Sequence, residues 1–328
     1  MAGVCRVFVV KALLHPAYDS YDGVMGNEPL FRKEVILGLW PIAGVTTIGV
    51  TEKDAITTIE TAIECGVTTF DTAYGYGLDG ESDRYLGSVL GQDDDPVRFH
   101  VIGKVGQRYV DGQRVIDGRP ETLRSDAEES LSRIGISKFG TLMLHSVDDQ
   151  TPIQESARAL RDLQMQGLAD RIGLCNATAE QRRRFAEVVR CDAIQCPLNL
   201  LQTDHLSDVI ADAALSGSDV LVYWTLMKGL LAGKIGRDHE FAPGDSRPGY
   251  AVFQGDARRR AHDVVDGLIE LATELDITVA ELSVSWALSQ VGVTAALVGA
   301  RRPDQIRDVA GAKPLSDSIL MQMNELIG

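Results

Sequence analysis

The sequence predicts an α/β chain folded as a single closed (β/α)8 barrel of the TIM type. Two observations carry this expectation. Eight short apolar or β-branched runs recur from about residue 34 onward, and most end in a polar or aromatic residue. Helix-like segments separate them, and eight such units in about 290 residues match the size of one barrel. A doubly wound open sheet is the competing architecture. The chain has 328 residues, a length that admits two domains, yet α/β barrels often run this long as one unit. Residues 33–328 are assigned to the barrel and residues 1–32 to an N-terminal extension outside the main rhythm.

The strand-like runs are, in order, EVILGLW (34–40), GVTTFD (66–71), FHVIGK (99–104), GTLMLH (140–145), RIGLCN (171–176), CDAIQ (191–195), SDVLVYW (218–224) and TAALVG (294–299). Between them lie helical stripes. Residues 53–64 place Ala55, Ile56, Ile59, Ala62 and Ile63 on one face. Residues 120–134 open with Pro120 and carry Leu123, Ala127, Leu131 and Ile134 at helical spacing. Thr151 is placed to cap the next helix, and Thr178 with Gln181 forms a capping-box pattern for the one after. Residues 258–275 form a long periodic helix. Residues 232–257 are the widest gap, rich in Gly, Pro, Asp and Arg, and are expected to form a long loop on the ligand face. No repeat of 20–50 residues and no low-complexity segment interrupts the pattern.

Composition narrows the function. Lys and Arg number 32 and Asp and Glu 47, a net charge of −15 that repels nucleic acid and anionic membrane surfaces. Neither is an expected partner, although a local basic site remains compatible with an anionic small ligand. The five cysteines, Cys5, Cys65, Cys175, Cys191 and Cys196, are odd in number and lack C-x-x-C spacing. A disulfide framework and a zinc ribbon are therefore not expected, and a reducing, cytoplasmic setting is. No apolar run approaches the ~18 residues of a membrane span. Residues 4–14 are apolar but carry Arg6 and Lys11 and no clear cleavage site, so they do not read as a signal peptide. No sequence feature sets the oligomeric state.

A barrel makes a sharp demand on the chemistry, because its active groups belong at the C-terminal ends of the strands. The residues there are Trp40, Asp71, Lys104, His145, Asn176, Gln195, Tyr223 with Trp224, and Gly299. Each alone has an ordinary explanation: an Asp after a strand usually caps a helix, a lone His hydrogen-bonds structurally, a lone Lys is solvated. Asp, Lys and His on three successive strands together point to a site. With six histidines, no H-x-H and no H-E-x-x-H, no metal site is expected. Lys104 as a Schiff-base nucleophile would need to be neutral, whereas an adjacent Asp71 would hold it charged. A charged amine suits a different task, which is lowering the pKa of Tyr76 in the Gly-rich loop DTAYGYG (71–77). Tyr76 would then serve as general acid or base, with His145 polarising a carbonyl oxygen. Tyr74 and Tyr76 otherwise read as aromatics covering the barrel mouth. Such a set without metal suits carbonyl reduction by hydride from a nicotinamide or flavin cofactor. No G-x-G-x-x-G follows the first strand, so a dinucleotide would lie on the barrel rim. Asn176 and Gln195 offer amides to a carboxamide, Tyr223 a stacking ring, and VGARRPDQI (298–306) a Pro-started helix with Arg301 and Arg302 for phosphate.

GVTTFDTAYGYG resembles the G-x-x-x-F-D-T-A-x-x-Y-G signature of the aldo-keto reductase superfamily. The resemblance implies that Asp71, Tyr76, Lys104 and, in LMLHSVDD, His145 are the catalytic residues. IGLCN and IQCPLN are similar to family blocks that carry Asn176 and Gln195 over as nicotinamide carboxamide contacts. YWTLMKGLLAGK is similar to the block that sets Tyr223 against the nicotinamide, with Leu226 and Lys234 along the pyrophosphate. GDSR resembles the loop that contributes an Arg, here Arg247. VGARRPDQI resembles the block gripping the adenosine phosphate, which carries over Gly299, Arg301, Gln305 and Asp308. The similarity covers about residues 34–312. The sequence departs from the family at Cys175 for Ser, Leu198 for Tyr, Thr225 for Pro and Val309 for Asn, and residues 1–32 have no counterpart.

These features together imply an NADP(H)-dependent reductase of an aldehyde, ketone or sugar, reversible toward alcohol oxidation. Trp40, Tyr74, Trp224 and the loop at 232–257 are expected to shape the substrate pocket. A cofactor-binding regulatory subunit with little turnover is the alternative, and a Schiff-base lyase on Lys104 a third.

Overall fold

The computed structural model describes residues 29–327 apart from 46 and 48, so the expected N-terminal extension lies outside the described residues up to residue 28. The strands are β1 (Glu34–Gly38), β2 (Thr69–Asp71), β3 (His100–Val105), β4 (Gln107–Val110), β5 (Gln113–Ile116), β6 (Phe139–Leu144), β7 (Ala169–Cys175), β8 (Ala193–Pro197), β9 (Asp219–Tyr223) and β10 (Ala295–Gly299). Eight of them form a closed parallel barrel in the order β1, β2, β3, β6, β7, β8, β9, β10. β10 returns to β1 in register from Glu34 against Ala295 to Gly38 against Gly299. That last pairing excludes the open doubly wound sheet. Each of the eight runs in the sequence corresponds to one barrel strand, and β4 and β5 form a separate antiparallel hairpin.

The helices are α1 (Glu52–Glu64), α2 (Glu81–Leu90), α3 (Pro120–Ile134), α4 (Ile153–Met165), α5 (Ala179–Ala186), α6 (Val209–Leu215), α7 (Gly255–Glu274), α8 (Val279–Ser289), α9 (Pro303–Arg307) and α10 (Asp317–Ile327). Local chemistry fixes several starts. Thr51 and Asp54 form a capping box on α1, and Thr178 and Gln181 the expected one on α5. Thr151 departs from expectation. Pro152 occupies the N-cap position of α4, and the Thr151 hydroxyl donates to Asp148 instead, at 2.7 Å. The expected long helix begins slightly early, at Gly255, and the loop before it contains two 3₁₀ turns, Arg247–Gly249 and Ala251–Phe253.

Strand side chains alternate between two cores. Ile36, Ile102, Met143, Ala193, Leu221, Ala295 and Leu297 fill the barrel interior. Leu37, Phe70, Leu142, Leu174, Ile194, Val222 and Val298 face the helices. Phe31 belongs to the inner set and plugs its floor, 2% exposed, with its ring edge-on to His100 at 5.4 Å. Around it the Leu30 N–H donates to the Asp219 carboxylate at 3.2 Å and the Lys33 ammonium to the Gln290 carbonyl at 2.8 Å. The last residues assigned to the extension therefore pack as part of the barrel. With the floor closed by apolar groups, the polar ends of the strands gather at the opposite rim.

Candidate active site

Asp71 ends β2, Lys104 lies near the end of β3, and His145 follows β6 directly. Strand closure brings these positions together despite their separation in sequence. The Lys104 ammonium donates to Asp71 Oδ1 at 2.5 Å, to the Thr72 carbonyl at 3.0 Å and to the Tyr76 hydroxyl at 3.1 Å. Three polar partners thereby surround its nitrogen. Asp71 and Lys104 are each 1% exposed, so their charges are compensated by one another and by these polar contacts rather than by water. Gln195 Nε2 donates to the second Asp71 oxygen at 2.5 Å. The Tyr76 ring sits edge-on between Trp40, at 5.0 Å, and His145, at 5.6 Å.

Electrostatics set the protonation of this group. Part of the Tyr76 ring is exposed, but its hydroxyl end is enclosed beside Lys104 and Asp71. Burial first, and then the Asp71 carboxylate, push the phenol well above its ordinary value. The Lys104 ammonium acts in the opposite sense, but the net direction is upward. The expectation that Lys104 brings Tyr76 below its ordinary value is thus corrected for this state of the site, because desolvation outweighs one hydrogen bond. Burial, then Lys104 and Arg114, push His145 well below the usual imidazole range. The His145 ring is therefore neutral, and its Nδ1 is buried without a partner among the described residues. Burial also pushes the Cys175 thiol up to about 12, which leaves it protonated.

A second set of groups adjoins the first. Asn176 follows β7 in a left-handed conformation, φ 55°, which Asn tolerates better than most residues. Its amide donates to the His145 carbonyl at 3.0 Å and accepts from the Tyr223 hydroxyl at 2.5 Å. Tyr223 in turn meets Trp224 edge-on at 5.5 Å. Leu226 is half-buried at the start of a turn in which Met227 and Lys228 also adopt positive φ, 39° and 54°. Such angles persist only where the surroundings hold them. A Cβ on Gly299 would come within 2.6 Å of Pro41, so glycine there lets β10 close against the turn after β1.

Farther along the rim, Lys234 pairs with Asp308 at 2.7 Å and Arg247 with Asp245 at 2.6 Å. Gln305 accepts from the Arg301 backbone N–H at 2.9 Å. The half-buried Arg301 guanidinium has no carboxylate partner among the described residues, and burial, Arg247 and Arg302 all lower its pKa. Arg301 beside Arg247 and Arg302, the last two already paired with Asp245 and Asp304, is a guanidinium group that fits a phosphate. With amides at Asn176 and Gln195, the ring of Tyr223 and an orphaned nitrogen on His145, these residues fit a nicotinamide dinucleotide.

Tyr74 does not join this group. Its ring lies between Arg108, 5.2 Å, and Arg133, 4.8 Å, and its hydroxyl donates to Glu129 of α3 at 3.0 Å. Its place in the substrate pocket is corrected, because Tyr74 tethers the loop to the flanking helix. Asp83 went unnoticed in the sequence. It is buried on α2 and accepts from Thr72 Oγ1 and Ser130 Oγ, both at 2.6 Å, and so clamps the residue whose carbonyl holds Lys104. An acidic residue in the first turn of a helix ordinarily marks only a favourable dipole interaction, which hid this role. Among the described residues no cluster of His, Cys, Asp or Glu could hold a metal ion, and no helix is long and apolar enough to cross a membrane.

Comparison with known proteins bears on the family and the fold. An aldo-keto reductase of Bacillus subtilis (strain 168) is 30% identical over 271 residues, covering 82% of each chain. The NADH-specific methylglyoxal reductase of Escherichia coli (strain K12) is 30% identical over 231 residues, 69% of each chain. The structure of a glycerol dehydrogenase from Gluconobacter oxydans superposes with a TM-score of 0.84 at 32% identity, covering 93% of this chain and 94% of that one. The family model for the aldo/keto reductases matches residues 34–327, and the chain belongs to the aldo/keto reductase family.

Proposed function

We propose that the protein is an NADP(H)-dependent oxidoreductase that reduces an aldehyde, ketone or sugar and runs reversibly toward the alcohol. The observation that carries this reading is the contact of Lys104 with both Asp71 and the Tyr76 hydroxyl, beside a neutral His145, at the rim of the barrel. A nicotinamide held at this rim would supply hydride for the carbonyl carbon. Tyr76, protonated at neutral pH, delivers a proton to the carbonyl oxygen. Lys104, anchored by Asp71, fixes the phenol oxygen and steadies the negative charge that develops when the proton leaves. Neutral His145 orients the carbonyl oxygen without competing for its proton. Asn176 and Gln195 hold the carboxamide, Tyr223 supports the ring, and Trp40 and Trp224 line the substrate side.

Leu226, Lys234, Arg247, Gly299, Arg301, Gln305 and Asp308 hold the remainder of the cofactor. Preference for the phosphorylated form rests on Arg301, whose guanidinium forms no ion pair among the described residues. One relative is described as NADH-specific, so the preference needs a direct test. Nicotinamide absorbance followed over a panel of carbonyl compounds should show oxidation of NADPH with a lower KM than NADH. Arg301→Gln should raise the KM for NADPH by about tenfold, the worth of one charge-assisted hydrogen bond, and leave that for NADH nearly unchanged. Equal KM values for the two cofactors in the unmodified enzyme would reject the preference.

A further inference from the structure

The hairpin β4–β5 stands between β3 and α3 and is not used by the chemistry above. Its two faces are defined by contacts. Residues two apart on a strand share a face, and cross-strand partners do as well. Gln107 pairs with Ile116 and Tyr109 with Arg114, so Gln107, Tyr109 and Arg114 lie on one face. Gln107 is buried and accepts from the hydroxyl of Ser146, the neighbour of His145, at 3.3 Å. The opposite face carries Arg108, which pairs with Asp126 of α3. The first face therefore looks toward the end of β6, where the site lies. The hairpin is seated firmly there: a Cβ on Gly75, next to Tyr76, would come within 2.4 Å of the Gln107 carbonyl oxygen.

Arg114 is exposed and makes no hydrogen bond or ion pair with any described residue. Its charge nevertheless reaches both His145 and Tyr223, which stand on different strands of the rim. The hairpin face that carries Arg114 is the one on which Gln107 meets Ser146, beside His145. Exposed arginines without a partner among the described residues also stand on the outer helices, Arg158 and Arg260 for example; Arg114 differs in lying on the hairpin face turned toward the site, where an anionic ligand could meet it.

We infer that Arg114 on the hairpin receives an anionic group of the substrate, so that the enzyme prefers a carbonyl compound carrying a carboxylate or phosphate. The inference rests on the reductase reading. The reaction itself is unchanged: hydride reaches the carbonyl carbon, the proton from Tyr76 reaches its oxygen, the nicotinamide is oxidised, and the anionic group passes through intact. Arginine suits either anion because its planar fork matches two oxygens at once.

The test uses the full chain and matched substrate pairs: 4-oxobutanoate against butanal, and glyceraldehyde 3-phosphate against glyceraldehyde. The expected result is a higher kcat/KM for at least one anionic member than for its neutral partner. Arg114→Gln should reduce that ratio by about tenfold, through KM rather than kcat, and Arg114→Lys should restore part of it. Preference in the first pair alone identifies a carboxylate, in the second alone a phosphate. Equal treatment of both pairs, or a ratio untouched by Arg114→Gln, overturns the inference. If no carbonyl compound is turned over at all, the reductase reading fails instead. Succinate titrated against tryptophan fluorescence, with NADP+ present, then still decides the question. Weaker succinate binding by Arg114→Gln supports the site at Arg114, and identical or absent binding rejects it.

Discussion

Asp71 serves two buried donors at once, the Lys104 ammonium on Oδ1 and the Gln195 amide on Oδ2, both at 2.5 Å. Replacing one partner of a buried ion pair leaves the other charge uncompensated, which costs about 3–5 kcal/mol. Asp71→Asn is therefore expected to lower unfolding free energy by about 3 kcal/mol in a urea titration and to depress kcat as Lys104 loses its anchor. An unchanged urea midpoint would show that the pair contributes nothing. At this scale the sequence was informative wherever a residue's direction follows from its strand. Asp71, Lys104 and His145 end barrel strands, and closure alone brings them to one rim. It was uninformative for Tyr74 and Tyr76, which share a loop of no regular period, so that one turns to Glu129 and the other to Lys104. The direction of the Tyr76 shift was equally hidden, because it depends on how much water the fold excludes.

Two elements meet where the catalytic loop and the hairpin touch, and Gly75 permits the contact. Its φ is unexceptional, so the constraint is space alone. Gly75→Ala should force β4 away from the Tyr76 loop at a cost of about 1–3 kcal/mol, as overpacking usually does. The expected readout is a lower Tm together with reduced kcat/KM, while the far-ultraviolet circular dichroism stays that of the parent. A fully active, equally stable Gly75→Ala protein would contradict the contact. The eight barrel strands could be read because each is a short apolar run. The hairpin was missed because Gln107–Val110 and Gln113–Ile116 are polar and lie within a stretch assigned to a connection. A signal was present: Asp111-Gly112 joins the two strands, both with positive φ, 50° and 74°, as a tight hairpin turn of the type I′ class requires. Helices α2, α6, α8 and α10 were not singled out either; α8 is buried nearly all round and has no amphipathic stripe to find.

The whole molecule is a barrel with an apolar floor and a charged rim, and burying imidazoles in it makes stability depend on pH. His100 lies under Phe31, and burial first, then Arg171, lower its pKa to about 4. The folded chain thus resists protonating a group that the unfolded chain protonates near its ordinary value of 6.5. Stability from this residue is complete above about pH 6.5 and is lost as the pH falls from there toward about 4. Asp83 and Asp126, pushed up to about 6 by burial, act in the reverse sense over part of that range. The comparison that isolates His100 is therefore with His100→Gln. The stability advantage of the parent over the variant should shrink by about 2 kcal/mol between pH 7 and pH 5, and a constant difference would deny the linkage. Barrel closure was legible from eight runs and their spacing, whereas the plug at Phe31 was not, because a single aromatic in an irregular stretch carries no periodicity. The claim on which the function depends is that Tyr76, held by Lys104, gives up the proton. Single-turnover reduction of a carbonyl substrate by enzyme preloaded with NADPH measures that step directly. Tyr76→Phe should slow it by at least about 100-fold while NADPH binds as tightly as before. A Tyr76→Phe protein that turns over at the parent rate would contradict the account.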